Sequence, residues 1–372
     1  MNSRDLAVAY GTDACRLVLN LLQAMDIGSE VGSKTKVLLK PNLVMAREAS
    51  SGITTHAEVA EGVIRYLLDA GVQKITIAES SWTGGDTRRA YRVCGYTDLA
   101  DKYGKFGVDL LDLKVDSVHS LEVQGVRFKV FRSVLATDYF VNLPVLKGHG
   151  GTKLTCALKN LKGCIPDSEK RRYHAEGLHK PIAQLNTLIH QDLVIVDGLC
   201  GDPSSETGGN PLAMDRVIMG KDPVLVDSYV AELMGYRPEM IEHIAMAAQL
   251  GIGSTDTSHA RIREFGEPRF RKIPQPDTSR LQRLRGYIAD RQACSACYGS
   301  TLYALQRLEE SRRLNTLRDK ICVGQGYRGV RLEGSGIGAC TRGLSNYVDG
   351  CPPTARNIIE FLESSVSGRF DA

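Results

Sequence analysis

Short apolar runs alternate with stretches of helical periodicity between residue 36 and about residue 260 of the chain. The runs KVLLK (36–40) and KITIA (74–78) are short and rich in Val, Ile and Leu, which is typical of parallel strands buried on both faces. Between them, THAEVAEGVIRYLLDAG has helical spacing, with Thr55 as the predicted N-cap and Gly71 at the end. The pattern therefore predicts a strand–helix–strand unit with parallel strands.

Further runs of the same two kinds follow this unit. They predict strands at 107–113, 120–131, 137–143, 193–197 and 214–219, and helices at 223–235 and 240–251. Strands that alternate with helices are typical of a layered α/β domain around a mostly parallel sheet. We therefore predict an α/β domain over residues 1–265.

Two shorter regions follow this predicted domain. The stretch RFRKIPQPDTSRLQRLRG (269–286) is basic and contains two prolines, so we predict a basic linker over residues 266–288. Residues 289–372 hold half of the cysteines, a predicted amphipathic helix at 299–320 and a closing helix at 354–365. We interpret them as a small C-terminal region rich in cysteine.

Composition narrows the class of protein. The chain of 372 residues is 42% hydrophobic and 24% charged, as soluble globular proteins are. Its formal net charge of +4 is too small to indicate a nucleic-acid partner, and no run of about 18 apolar residues predicts a membrane span. Because the N-terminal residues lack a secretory pattern, we expect a cytoplasmic protein whose ten cysteines serve metal or redox chemistry rather than disulfides.

Four C-terminal cysteines have the spacing C-x2-C-x42-C-x10-C-P-P. Cys294 and Cys297 lie three residues apart, so one turn can place both thiolates on one metal centre. Cys340 follows a glycine-rich loop, and the prolines after Cys351 open a helix whose N-terminus suits a bound anion. A cluster with four thiolates carries net negative charge, so the pattern favours a 4Fe–4S cluster. Structural zinc and buried packing cysteines remain alternatives, and Cys322 could replace one of the four ligands.

A second group of polar residues surrounds a glycine-rich loop in VNLPVLKGHGGTKLTCALKNLKGC (141–164). An apolar strand ends here, and α/β proteins bind ligands at the carboxyl ends of parallel strands. Several ammonium groups beside an imidazole suit a phosphate or carboxylate, although a solvated lysine-rich surface has the same composition. The candidate anion-binding residues are Lys147, His149, Lys153, Lys159 and Asn160 in this stretch, and Lys40, Asn42, Thr55 and His56 at other strand and helix ends.

Four blocks of the sequence resemble, in the same order, a bacterial and archaeal family called domain of unknown function 362. The blocks are VLLKPNLV, TTHAEVAEGVIRYLLDAGVQKITIAESS, FVNLPVLKGHGGTKLTCALKNLKGC and GKDPVLVDSYVAELMG, within about residues 36–256. Members often carry iron–sulfur ligands, so the resemblance implies an iron–sulfur protein. The family's shared polar residues would fall on Lys40, Asn42, Thr55, His56, Lys147, His149, Thr155, Lys159, Asn160, Asp197 and Asp227. In addition, the run GCPP resembles the cluster-binding end of hydrogenase small subunits.

Together these patterns favour a cytoplasmic iron–sulfur oxidoreductase. In this interpretation the cluster passes single electrons to a small anionic substrate held by Lys147, His149 and Lys159, and His149 donates a proton. The sequence has no dinucleotide fingerprint and no P-loop, so a ferredoxin or flavodoxin would supply the electrons and dock on the basic linker. Two alternatives stay open: an electron-transfer or redox-sensing module without turnover, and a zinc-stabilised protein that binds an anion.

Overall fold

The computed structural model describes residues 1–274, 279–317 and 319–366 of the 372 residues. The chain divides into two compact units. The first unit comprises residues 1–81, 85–169 and 178–276, and the second comprises residues 82–84, 170–177 and 277–372. Each unit has its own main sheet and its own apolar core.

Strands and helices alternate through most of the first unit. Its strands are β1 (Asp5–Tyr10), β2 (Lys36–Pro41), β3 (Lys74–Glu79), β4 (Val108–Asp112), β5 (Val118–Val123), β6 (Val126–Phe131), β7 (Tyr139–Leu143), β8 (Lys147–His149), β9 (Lys153–Thr155), β10 (Leu193–Gly201), β11 (Leu212–Gly220) and β12 (Arg261–Phe265). Its helices are α1 (Ala14–Ala24), α2 (Ala57–Asp69), α3 (Thr87–Val93), α4 (Tyr96–Tyr103), α5 (Arg132–Leu135), α6 (Ala157–Asn160), α8 (His179–Leu185), α9 (Pro223–Leu233) and α10 (Glu242–Gln249), while α7 (Asp167–Glu176) contributes residues to both units.

Eight of these strands form one sheet, in the order β12-β1-β11-β10-β7-β2-β3-β4. β11 runs antiparallel to both of its neighbours, β1 and β10. The other neighbouring pairs are parallel. The predicted strand–helix–strand unit is present as β2, α2 and β3, with Leu38 opposite Thr76. The predicted fold class, α/β around a mostly parallel sheet, is therefore confirmed.

Consecutive residues of the central strands face two different apolar cores. In β10, Ile195 belongs to a core that includes Leu21 of α1. The next residue, Val196, belongs to a core that includes Ile244 of α10. A strand that is covered on both faces buries every side chain, which explains its near-continuous run of apolar residues.

Two details of the first unit differ from the sequence predictions. The segment 120–131, predicted as one strand, is the hairpin of β5 and β6. The chain turns at Gln124 and Gly125, whose φ angles of 50° and 76° lie in the left-handed region. The predicted N-cap Thr55 is also wrong, because His56 precedes the first helical residue of α2 and the Thr55 hydroxyl bonds elsewhere.

The second unit is built around a sheet of four parallel strands. β13 (Ile288–Asp290), β14 (Ile321–Val323), β15 (Leu332–Ile337) and β16 (Leu344–Val348) lie side by side in this order. The helices α11 (Ser279–Arg285), α12 (Ser295–Glu310) and α13 (Ala355–Val366) contribute to its core through residues such as Leu284, Leu305 and Leu362. The predicted closing helix thus appears as α13.

The segment 266–288, which the sequence predicts as a basic linker, is helical in part. Residues Ser279–Arg285 form α11, and its two leucines, Leu281 and Leu284, are buried. These leucines lie three residues apart on one face, and four basic or polar residues around them obscure the helical pattern. Residues 275–278, in the middle of the predicted linker, lie outside the described residues.

Candidate functional site

One edge of the large sheet collects polar residues from several strand ends. The strands β10, β7, β2 and β3 are consecutive and parallel, so their carboxyl ends meet at this edge. Lys40 lies next to the end of β2, and Glu79 is the last residue of β3. The structure thus brings together side chains that lie far apart in the sequence.

Lys40 forms a closed ion pair at this edge. Its Nζ donates to Glu79 Oε2 at 2.8 Å and to the carbonyl oxygen of Pro41 at 2.7 Å. Both charged side chains are almost fully buried. The backbone of Gly163 covers the pair so closely that a Cβ there would lie 2.0 Å from Glu79 Oε1 and 2.5 Å from Lys40 Nζ. The charge of Lys40 is therefore compensated inside the protein.

A chain of hydrogen bonds runs from this ion pair to Lys147. Asn42 Nδ2 donates to Asn160 Oδ1 at 2.7 Å. Lys147 Nζ donates to Asn42 Oδ1 at 2.8 Å and to the carbonyl oxygen of Ile53 at 2.5 Å. Thr55 holds the loop in place, because its hydroxyl accepts from the Asn42 N–H and donates to the Leu143 carbonyl oxygen. Lys40 Nζ also donates to Asn160 Oδ1 at 3.4 Å, so five of the predicted anion-binding residues belong to one buried network.

Lys147 differs from Lys40 in its partners. Its Nζ hydrogen bonds go to neutral oxygens, so no carboxylate hydrogen-bonds to the ammonium in the part of the chain that the structure describes. The pKa of Lys147 is lowered to about 7. Burial is the largest cause and the positive charge of Lys159 is the second, while the negative charge of Glu206 acts in the opposite direction. Lys147 therefore exchanges its proton near neutral pH.

His149 lies two residues along β8, and its hydrogen bonds assign its tautomer. Its Nδ1 accepts the backbone N–H groups of Gly151 at 2.9 Å and Thr152 at 3.1 Å. A neutral imidazole whose Nδ1 accepts carries its proton on Nε2. That Nε2 lies 3.6 Å from Glu206 Oε1. The neutral side chain is therefore set to donate from Nε2.

The two remaining lysines of this loop lie in different surroundings. Lys159 is half-buried and its Nζ donates to Thr155 Oγ1 at 3.3 Å. Burial lowers the pKa of Lys159 to about 8, against the opposing effect of Glu206. Lys153 is exposed, and its Nζ donates to the Met240 carbonyl oxygen at 3.2 Å. The structure therefore groups Lys159 with Lys147 and places Lys153 beside the 236–240 loop.

His56 forms a separate pair with Asp197. The carboxylate oxygen Oδ2 of Asp197 accepts the backbone N–H of His56 at 2.7 Å and lies 2.8 Å from its Nδ1. Desolvation would lower the pKa of His56, but the Asp197 charge and hydrogen bond outweigh it, so the pKa is raised. The imidazole lines a cleft of about 500 Å³ together with Glu58 and Asp98.

Asp227, on α9, holds the start of α6. Its carboxylate accepts the backbone N–H groups of Ala157 at 2.7 Å and Leu158 at 3.1 Å. Burial raises the pKa of Asp227 to about 7 despite these hydrogen bonds. The role of Asp227 in the described structure is to position the short helix that carries Lys159 and Asn160.

The four cysteines predicted to bind a metal come together in the second unit. Cys294 is the N-cap of α12 and Cys297 lies in its first turn. Burial is the first cause that raises the pKa of Cys297 to about 12, and the negative charges of Cys294, Cys351 and Cys340 raise it further. Cys322 has a different environment, since it is buried in β14 and packs with Tyr327 and Leu344.

Two polar side chains point N–H groups at these sulfurs. Arg328 Nε donates to Cys340 Sγ at 3.4 Å, and Gln325 Nε2 lies 3.7 Å from Cys294 Sγ. Among the described residues, no group of three His, Cys, Asp or Glu side chains is arranged to hold a metal ion.

No helix in the described ranges is long and apolar enough to cross a membrane.

Three polar residues of the first unit were not among the predicted site residues. Glu79, the last residue of β3, is 2% exposed. Asn142 donates to the Ala157 carbonyl oxygen and accepts from Asn160 Nδ2 at 2.7 Å. Glu206 faces His149 from a loop more than fifty residues further along the chain. Of these three residues, only Asn142 could have been recognised from the sequence, because it is a single polar residue inside an apolar strand.

Comparison with known proteins assigns a family. The profile of a domain of unknown function, DUF362, matches residues 37–232, more than half of the 372 residues. The chain belongs to the DUF362 family. A thylakoid-associated protein of a Synechocystis strain is 24% identical over 246 residues, which is 62% of this chain and 72% of that protein.

Two solved structures resemble the DUF362 chain over part of its length. A crystal structure of a protein from Thermotoga maritima matches with a TM-score of 0.38 and 14% identity, over 64% of this chain and 60% of that one. The lactate racemase apoprotein of Thermoanaerobacterium thermosaccharolyticum matches with a TM-score of 0.38 and 11% identity, over 66% of this chain and 59% of that one. The chain thus spans about three fifths of the length of either structure.

Proposed function

We propose that this chain is an iron–sulfur protein in which Cys294, Cys297, Cys340 and Cys351 hold a 4Fe–4S cluster. The observation that carries the proposal is the convergence of the four thiols, three of which act electrostatically on Cys297. Ionisation of several thiols this close together is costly in the metal-free chain, and bound iron would offset that cost.

The surroundings of the sulfurs support an anionic cluster. Arg328 and Gln325 direct N–H groups at two of the thiols. Gly338 has a φ of 92°, and a Cβ at this position would lie 3.5 Å from Cys297 Sγ, so the glycine keeps the backbone close to that sulfur. N–H donors and close backbone approach are the usual surroundings of iron–sulfur clusters.

We further propose that the protein is an oxidoreductase acting on a small anionic substrate. When bound, the cluster would supply electrons one at a time. Lys147 and Lys159 would hold the anion, because their ammonium groups lie near each other and Lys147 has no carboxylate hydrogen-bonded to it among the described residues. His149 would donate a proton from Nε2, the nitrogen that its hydrogen bonds leave protonated. A ferredoxin or flavodoxin is the proposed electron donor.

Metal analysis tests the cluster. Protein purified without oxygen should contain about four irons and four acid-labile sulfides per chain, and dithionite should produce an EPR signal. One zinc per chain with no sulfide would contradict the proposal and favour the zinc-stabilised alternative.

A pair of variants tests the ligand set. Cys351→Ser should lose most of the bound iron, because a hydroxyl replaces a ligand thiolate. Cys322→Ser is the matched control and should keep the iron, since Cys322 packs with Tyr327 and Leu344 and is not among the groups that act on Cys297. Full iron content in Cys351→Ser would refute this ligand set.

The second candidate function is an electron-transfer or redox-sensing module without turnover. The exposure of Cys351 favours it, because a cluster near the surface exchanges electrons readily with a partner. Anaerobic mixing of the dithionite-reduced protein with small anionic compounds that carry a reducible group, such as unsaturated or keto carboxylates and keto phosphate esters, separates the two candidates. An oxidoreductase should be reoxidised by a substrate among them, whereas a module should be reoxidised only by an electron-transfer protein.

The cellular location remains a prediction. The sequence favours a cytoplasmic protein, and the similar Synechocystis protein is named for association with thylakoids. Fractionation of cells into membrane and soluble parts would test whether this chain also associates with membranes.

A further inference from the structure

Two side chains, those of Arg328 and Gln325, lie beside the four cysteines but are not ligands of the proposed cluster. Arg328 Nε donates to Cys340 Sγ at 3.4 Å, and its positive charge also interacts with Cys351 and Cys294. Gln325 donates from one amide nitrogen to both the Arg171 carbonyl oxygen at 2.7 Å and Cys294 Sγ at 3.7 Å. The two donors therefore act on two different thiols.

We infer that Arg328 and Gln325 are positioning residues that raise the reduction potential of the cluster through N–H donation to Cys340 and Cys294. This inference rests on the proposed 4Fe–4S cluster. Each residue acts only through a ligand sulfur.

The geometry of the two donors explains why they would hold their direction. The Arg171 carbonyl oxygen fixes the amide group of Gln325, so that its second hydrogen can face Cys294. Arg328 follows a short turn in which its own N–H donates to the Gln325 carbonyl oxygen at 3.1 Å. The turn therefore sets the positions of both side chains together.

The sign of the effect follows from charge. Reduction adds one electron to a cluster that is already negative, so N–H donors and a nearby guanidinium stabilise the reduced form more than the oxidised form. Loss of either donor should lower the midpoint potential. Arg328 should have the larger effect, because its donor carries a full positive charge.

The test is a redox titration of the intact holoprotein, followed by EPR, for a short series of variants. Arg328→Met removes the charge and the donor, whereas Arg328→Lys keeps the charge and removes the fixed N–H direction. Gln325→Met removes the second donor with little change of size. Arg331→Met is the matched control, because it removes the same charge from an exposed side chain three residues further on.

The expected result is a fall in midpoint potential with unchanged iron content, largest in Arg328→Met, smaller in Arg328→Lys and Gln325→Met, and smallest in Arg331→Met. Equal shifts in Arg328→Met and Arg331→Met would overturn the inference, because the effect would then be general charge. Loss of iron in all variants at both positions would also overturn it, since the residues would then be needed to keep the ligands in place.

The iron content of the unaltered protein distinguishes failure of the proposed function from failure of this inference. Absence of iron and sulfide from the unaltered protein would overturn the proposed function and this inference with it. A normal cluster whose potential does not respond to the substitutions would overturn this inference alone and leave the proposed function standing.

Discussion

Glu79→Gln is the substitution that tests the buried edge of the large sheet most directly. It keeps the shape of the side chain and removes the charge that faces Lys40 at 2.8 Å. It also weakens the acceptor of two backbone N–H groups, those of Leu43 at 2.9 Å and Ser80 at 2.7 Å. The substitution therefore leaves a buried ammonium group without its carboxylate.

Removing one partner of a buried ion pair costs about 3–5 kcal/mol, chiefly because the other charge stays buried and uncompensated. Lys40 is fully buried and Gly163 covers the pair, so neither solvent nor a small rearrangement can replace the carboxylate. We therefore expect Glu79→Gln to lower the free energy of unfolding by about 3 kcal/mol or more. With a urea slope of about 3 kcal/mol per molar, the midpoint falls by about 1 M.

Urea unfolding followed by far-UV circular dichroism measures this change. The double variant Lys40→Met/Glu79→Gln should lose less than the sum of the two single losses, by at least about 1 kcal/mol, because it no longer buries a lone charge. Lys102→Met, which breaks the exposed pair between Lys102 and Glu61, is the control and should change stability far less. Additive losses in the double variant, or a Glu79→Gln loss as small as the control, would refute the reasoning.

Two further predictions concern pH. Burial, followed by the Lys159 charge, lowers the pKa of Lys147 to about 7. Between about pH 7 and pH 10 the folded chain therefore holds fewer protons than the unfolded chain. The contribution of Lys147 to the free energy of unfolding thus rises with pH across that window. Urea titrations at pH 7 and pH 9 should show the rise in the unaltered protein and in Lys153→Met, but a smaller rise in Lys147→Met; equal slopes would contradict the shift. Burial raises the pKa of Asp227 to about 7, so its contribution to stability falls as pH rises from about 4 to 7. Asp227→Asn should remove that dependence, and an unchanged pH profile of unfolding would show that Asp227 does not titrate there.

The sequence predicts most strands of the large sheet, but it misses β1, which is buried, and β12, which is exposed. The apolar runs that became β2, β3 and β10 could be recognised without knowledge of their neighbours, because most of their positions are buried. β12 is exposed at all five positions, so its side chains carry no alternation of buried and exposed residues. The β5–β6 hairpin was missed because its turn begins with Gln124, whereas asparagine or aspartate usually signals such a turn.

The candidate site shows the same division between local and distant information. Strand ends and glycines indicated the positive side chains, because each lies beside a recognisable local signal, and the structure places Lys159 near Lys147 but Lys153 beside Met240. Their negative partners could not be predicted, since Glu79 reaches Lys40 across 39 residues of sequence and Glu206 faces His149 from a different loop. Ion pairs of this kind depend on which strands become neighbours, and that depends on the whole sheet.

Two buried lysines, Lys40 and Lys147, differ in their hydrogen-bond partners, and this difference decides which of them can bind an anion. Lys40 and Lys147 have similar sequence contexts, since each follows an apolar strand, and both are almost fully buried. Lys40 gives its charge to Glu79, so an anion beside it would compete with a carboxylate already in place. Lys147 donates to the neutral oxygens of Asn42 and Ile53, and its desolvated ammonium is stabilised less. An anion bound near Lys147 would supply the missing negative charge and favour the protonated form, which makes Lys147, rather than Lys40, the residue on which the proposed substrate site depends.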